Sequence, residues 1–173
     1  MKLVILNGYP GSGKTVLSYK YSKTHDFALI AQDHFLFRMN PSSMITRHAS
    51  QRDQAIALEN LLTVTENYMK TEKDIMIEGA MVSISSDDPM NIGVFVQLAE
   101  KHNYQPIIIT LTASERVRKR RQLSRGNTVN PSLDKKLIKA NSLLEFADIT
   151  HQLDTSRLTM KKCLDEIDRI IGE

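Results

Sequence analysis

The sequence predicts a three-layer α/β/α sandwich built on a parallel sheet, and three observations predict it. Five short apolar runs are too brief for helices and end in polar or turn-forming residues. Segments with helical apolar spacing separate them, and the first run leads straight into a glycine-rich turn that opens a helix. Strands alternating with amphipathic helices are joined by crossovers, which makes the strands parallel and covers both faces of the sheet.

The runs are Lys2–Asn7, Phe27–Ala31, Asp74–Glu78, Pro106–Leu111 and Asp148–Leu153. Ala55, Leu58, Leu62 and Met69 fall at helical intervals, as do Ile92, Phe95, Val96 and Ala99. Leu133, Leu137, Ala140 and Leu144 repeat the stripe behind a Pro131-Ser132 start, and Met160, Leu164, Ile167 and Ile171 repeat it near the end. Ligands of such sheets sit beyond the carboxyl ends of the strands. Asn7, Ala31, Glu78, Leu111 and Leu153 therefore mark the rim of the expected site.

With 173 residues, 41% hydrophobic and 25% charged, the chain has apolar material for one core, and a single domain over residues 1–173 is expected. No fixed-period repeat or simple segment interrupts it. The apolar start, Leu3 to Leu6, is too short for the core of a secretory signal, and no stretch approaches membrane-spanning length. The single cysteine, Cys163, excludes an internal disulfide and suits a reducing compartment, so a cytoplasmic protein is expected. The net charge of +3 is a small excess, so its placement matters more than its size.

Gly8-Tyr9-Pro10-Gly11-Ser12-Gly13-Lys14-Thr15 satisfies G-x-x-x-x-G-K-[ST] in full, after an expected strand and before an expected helix that starts near Gly13. Glycines let successive backbone N–H groups curl towards phosphate oxygens, and the helix N-terminus adds its positive dipole end. Gly8, Pro10, Gly11, Ser12, Gly13, Lys14 and Thr15 are thus the expected nucleotide-binding residues. Lys14 is placed to reach the β- and γ-phosphates, and the Thr15 hydroxyl to complete the shell of a Mg²⁺ ion.

Residues 116–125 hold six cations in ten, reading Arg-Val-Arg-Lys-Arg-Arg-Gln-Leu-Ser-Arg. Thr112 and Glu115 have capping-box spacing, which predicts a helix beginning just after the fourth strand. Arg118, Arg121 and Arg125 share one face of that helix. After Glu115 no acidic residue occurs until Asp134, so neighbours in sequence leave the cluster unneutralised and an anion is the expected partner. Guanidinium groups fork onto phosphate oxygens and disperse transition-state charge, which points to an arginine-rich lid at about 114–131 over a triphosphate. The plainer reading is a solvated charged face.

Asp33 lies just past the second strand, where a carboxylate could orient an acceptor hydroxyl or take its proton. Its plainer reading is a helix cap or a turn. Glu78 ends the third strand, where P-loop proteins often support Mg²⁺ with an aspartate; the longer glutamate could instead act through water or face the acceptor. His34, Arg38, Arg47, His48 and Arg52 make the segment from about 34 to 53 the candidate for acceptor binding. No His/Cys spacing suggests zinc.

These residues resemble the small P-loop kinases that include polynucleotide 5′-hydroxyl kinases, chloramphenicol phosphotransferase-like proteins, gluconate and adenylylsulfate kinases and zeta toxins. The likeness spans nearly the whole chain: Ile-Leu-Asn-Gly-x-Pro-Gly-Ser-Gly-Lys-Thr at 5–15, Asp33, the Asp74–Glu78 strand, Arg121-x-x-x-Arg125 and Leu153-Asp154-Thr155-Ser156. It implies a five-stranded parallel sheet of order 2-3-1-4-5, a base or orienting role for Asp33, and a nucleotide grip by Arg121 and Arg125. Gln32-Asp33-His34-Phe35 also resembles nucleoside kinases of the uridine kinase kind. Glu78 departs from the aspartate of many members, and the first arginine after Asp33 is as distant as Arg38.

The chemistry expected is Mg-ATP-dependent transfer of a γ-phosphoryl group by positioning and charge stabilisation, with Lys14, Asp33, Arg121 and Arg125 as catalytic candidates and Arg118 on the nucleotide. The first acceptor expected is a nucleoside, nucleotide or nucleic-acid 5′ end, and the second an antibiotic or sugar hydroxyl. A nucleotide-dependent switch is the rival class, but the Asn-Lys-x-Asp segment with which such proteins read guanine does not occur.

Overall fold

The computed structural model describes residues 1–38, 50–81, 91–126 and 150–173. The stripe over 133–144, residues 127–131 of the expected lid, and Arg47 and His48 lie outside the described residues.

The described strands are β1 (Lys2–Gly8), β2 (Ala28–Ala31), β3 (Ile75–Glu78), β4 (Gln105–Thr112) and β5 (Thr150–Asp154). They form one all-parallel sheet of order β2-β3-β1-β4-β5, the order the resemblance implies. β1 sits at the centre of that order, and both of its faces are buried. Leu3 and Ile5 enter one core with Leu61, Phe95 and Ala99, while Val4 and Leu6 enter the other with Leu17, Tyr21 and Ile167. Two apolar faces on one strand require a helical layer on each side.

Helices α1 (Lys14–His25) and α5 (Met160–Gly172) supply one layer, and α2 (Gln51–Met69) and α3 (Gly93–Lys101) the other. α4 (Glu115–Leu123) follows β4 at the carboxyl edge. A capping box fixes the start of α2: Ser50 Oγ accepts from the Asp53 N–H at 3.1 Å, and the Asp53 carboxylate accepts from the Ser50 N–H at 3.3 Å. Such a cap contributes about 1 kcal/mol. Thr159 caps α5 one way only, its hydroxyl accepting from the Lys162 N–H at 3.3 Å. Among the described residues no helix is long and apolar enough to cross a membrane.

One boundary differs from expectation. Thr112 does not cap α4, because β4 continues through it and its backbone pairs in register with Asp154 of β5. Ser114 occupies the cap position without a side-chain bond to the helix. Sheet pairing claimed a residue that local spacing assigned to a helix.

Register places Leu6 and Ala31 beside Glu78 and Gly8 beside Leu111, so at the carboxyl edge β1 and β4 run on past the ends of β2 and β3. Ile77, fully buried in the strand that joins β1 to β2, holds that alignment from the core. Ile77→Ala is expected to lower unfolding free energy by about 2–5 kcal/mol. Urea denaturation checks this, with an unchanged m-value showing that the denatured state is not what moved.

Candidate functional site

Between β1 and α1 the chain turns through residues 8–13. Gly8 has φ +143°, and a Cβ there would lie 2.3 Å from the Leu111 carbonyl oxygen; Gly11 has φ +80°, and a Cβ there would lie 2.8 Å from the Arg118 carbonyl oxygen. Glycine is thus required twice, once for conformation and once for space. The Ser12 N–H donates to the Tyr9 carbonyl at 3.1 Å, and the first bond of α1 runs from the Leu17 N–H to the Gly13 carbonyl at 3.0 Å. Gly13 holds the cap position and has no side chain to offer, so the N–H groups at the start of α1 keep their positive end for an outside acceptor.

Lys14 folds its ammonium over the loop, donating to the Gly8 carbonyl at 2.7 Å and the Tyr9 carbonyl at 3.3 Å. Burial lowers its pKa, the charges of Glu78 and Asp33 pull it back up, and Arg125 pushes it down further. Glu78 is 3% exposed at the end of β3. Its Oε1 accepts from the Thr15 hydroxyl at 3.2 Å, and its Oε2 is buried with no hydrogen-bond partner among the described residues. Burial raises the Glu78 pKa, opposed by Lys14, and the nearby Asp33 charge raises it again. Each of the two groups thus favours the other's charged form against the burial that opposes it.

Asp33 sits one residue beyond Gln32, just past the carboxyl end of β2, and is exposed. Gln32 fixes that end: it is 8% exposed, and its Oε1 accepts from the Ala80 N–H at 3.0 Å. Arg125, just beyond α4, is exposed and close enough for its charge to act on both Lys14 and Glu78. Lys14, Thr15, Asp33, Glu78 and Arg125 are thus brought together. His34 and Arg52 are exposed, and most of the segment from 34 to 53 lies outside the described residues.

Thr15 and Glu78 fit a Mg²⁺ ion. Their hard oxygens lie 3.2 Å apart, and the buried, unpartnered Oε2 is a carboxylate oxygen available to a cation or its water. Magnesium is commonly bound by one or two protein oxygens plus substrate phosphates and waters, and no cluster of three acidic, His or Cys residues occurs among the described residues.

The three arginines expected on one face divide. Arg118 is 3% exposed; its Nε donates to the Ala113 carbonyl at 3.1 Å, and its guanidinium lies 5.1 Å from the centre of the Tyr9 ring. Arg121 donates to the Gly11 and Ser12 carbonyls, both at 3.2 Å, and to the Thr155 hydroxyl and carbonyl, both at 2.9 Å. Both guanidiniums are engaged with protein groups, and sequence reasoning did not see this because carbonyls and a ring carry no charge to count. It also missed Gln122, whose Nε2 donates to the Pro10 carbonyl at 3.2 Å. Nothing in a lone glutamine's spacing signals that contact.

A phosphate-type loop at the end of the central strand of a 2-3-1-4-5 parallel sheet defines a protein with the P-loop kinase fold. The AAA_33 model, an AAA domain, matches residues 3–142, and the chain belongs to that family. Among solved structures it is similar to a sugar kinase from Janibacter sp. HTCC2649, with TM-score 0.75, 16% identity and coverage of 99% of this chain and 95% of that one. It is similar to a gluconokinase from Sinorhizobium meliloti 1021, with TM-score 0.72, 14% identity and coverage of 99% and 91%. A Mycobacterium tuberculosis APS kinase solved with AMPPNP and APS gives TM-score 0.61 and 13% identity, covering 99% and 98%. At these identities the likeness is one of fold. No curated protein matches the sequence.

Gly11→Ala puts a Cβ against the Arg118 backbone at a positive φ, a strain of about 1–3 kcal/mol before the clash is counted. The expected outcome is at least roughly tenfold weaker Mg-ATP binding by titration calorimetry, with far-ultraviolet circular dichroism unchanged.

Proposed function

We propose that the protein is an ATP-dependent kinase that moves the γ-phosphoryl group onto a hydroxyl or phosphate of a small acceptor. The observation that carries this reading is the convergence, around one glycine loop, of Lys14, Thr15, Asp33, Glu78 and Arg125 from the ends of different elements.

In this reading the N–H groups at the start of α1 hold the phosphates of the nucleotide. Lys14 exchanges its two carbonyl acceptors for β- and γ-phosphate oxygens, a short swing from a buried position. Thr15 and Glu78 would hold Mg²⁺, which would supply positive charge to offset that of the phosphates. Asp33, exposed and pinned through Gln32, orients an acceptor hydroxyl and takes its proton as the oxygen bonds to the γ-phosphorus and the bridging oxygen leaves with ADP. Arg125 disperses the charge that develops on the transferring group. Arg118 and Arg121, already engaged with protein, support the loop.

The names of the matched structures, a sugar kinase, a gluconokinase and an APS kinase, favour a small-molecule acceptor. A sugar or related hydroxyl therefore moves ahead of the nucleoside, nucleotide or nucleic-acid 5′ end that the sequence alone put first.

The test is transfer from labelled ATP to a panel of sugars, sugar acids, nucleosides, nucleotides and 5′-hydroxyl oligonucleotides. One panel member is expected to be phosphorylated. Asp33→Asn is expected to bind Mg-ATP normally and lose roughly 10²–10⁴-fold in kcat, whereas Lys14→Ala loses triphosphate affinity as well. Undiminished transfer by Asp33→Asn removes that residue from the chemistry. Slow hydrolysis with no acceptor, and a strong preference for GTP, would favour a nucleotide switch.

A further inference from the structure

A turn that directs N–H groups at an anion turns carbonyls the other way, and those carbonyls need donors of their own. Here each carbonyl from residue 8 to residue 13 has one. Lys14 Nζ serves Gly8 and Tyr9, and the Ser12 N–H also serves Tyr9. Gln122 Nε2 serves Pro10. Arg121 Nη1 serves Gly11 and Ser12, the Thr155 hydroxyl donates to Ser12 at 2.8 Å, and the Leu17 N–H serves Gly13.

These donors fall into two groups. The Lys14 bonds are the ones that phosphate binding exchanges. The donors to Pro10, Gly11 and Ser12 come from α4 and from the turn after β5, and none needs to move for a nucleotide to enter. They are also built in. Thr155 is 2% and Gln122 8% exposed, the Thr155 N–H is tied to the Thr112 carbonyl at 2.9 Å, and both Nη atoms of Arg121 are held on Thr155.

From this we infer that Arg121, Gln122 and Thr155 form an outer clamp that fixes the carbonyl side of the phosphate loop and thereby sets its N–H side for a triphosphate. They are positioning residues. Arg121, expected from sequence to grip the nucleotide, acts through the loop backbone. The inference rests on the triphosphate-binding part of the function proposed above, and on no particular acceptor.

Mg-ATP calorimetry on the whole protein tests it with uncharged substitutions, which cannot remove a charge contact to phosphate. Thr155→Val keeps the shape and loses the hydroxyl, leaving Ser12 and Arg121 short of a partner; binding about five- to fiftyfold weaker is expected. Thr155→Ser, which restores the hydroxyl, is expected to stay within about twofold of wild type. Gln122→Met loses a single 3.2 Å bond and is expected to fold, with Mg-ATP binding about three- to tenfold weaker. It decides the case if Thr155→Val does not fold. Wild-type affinity in folded Thr155→Val and Gln122→Met, or a Thr155→Ser variant no better than valine, overturns the clamp. Failure of the wild type to bind Mg-ATP overturns the function proposed above instead.

Discussion

A backbone that turns its donors inward must satisfy its acceptors outward, and residues 8–13 show how much structure that constraint commands. It needs glycine where Leu111 and Arg118 approach, a helix beginning at Lys14, and donors on the far side. β4 brings Leu111 against Gly8, α4 brings Arg118 against Gly11 together with two of the donors, and the turn after β5 brings a third. The 2-3-1-4-5 order then has a local reason. β4 lies beside β1, so its end closes on Gly8, and β5 lies beside β4, so Thr155 arrives next to Ser12.

The other side of the loop is governed by charge. Lys14 and Glu78 are both pressed by burial towards their neutral forms, and each is the other's main support. A pair of this kind adds little to stability, because desolvation consumes most of the attraction. In the function proposed above its use is readiness: an ammonium on two carbonyls would move to phosphate, and a carboxylate with a spare buried oxygen would move to a cation. Asp33 and Arg125, which carry the same two signs, are exposed.

Much of this was legible in the sequence, because the signals were local. The run Leu3 to Leu6 followed by the glycine loop gave strand, turn and helix together, and rim positions such as Asp33 and Glu78 followed from where parallel sheets end. Strand limits moved by a residue or two, as at Thr112, where pairing with Asp154 outweighed capping spacing. The arginines were harder. Their number pointed to an outside anion, but sequence could not show that Lys119 would pair with Glu115, Arg118 with Tyr9 and Arg121 with carbonyls. Gln122 and Thr155 are neutral and far from the loop in sequence, so only the folded arrangement reveals them.

The bare start of α1 has a further consequence. A helix whose cap position is Gly13 forgoes roughly a few tenths of a kcal/mol against a serine or aspartate cap, and it leaves its first N–H groups to whatever docks there. By mass action, a nucleotide at a hundred times its dissociation constant adds about 2.7 kcal/mol against unfolding. In the function proposed above, the melting temperature would therefore climb with nucleotide concentration.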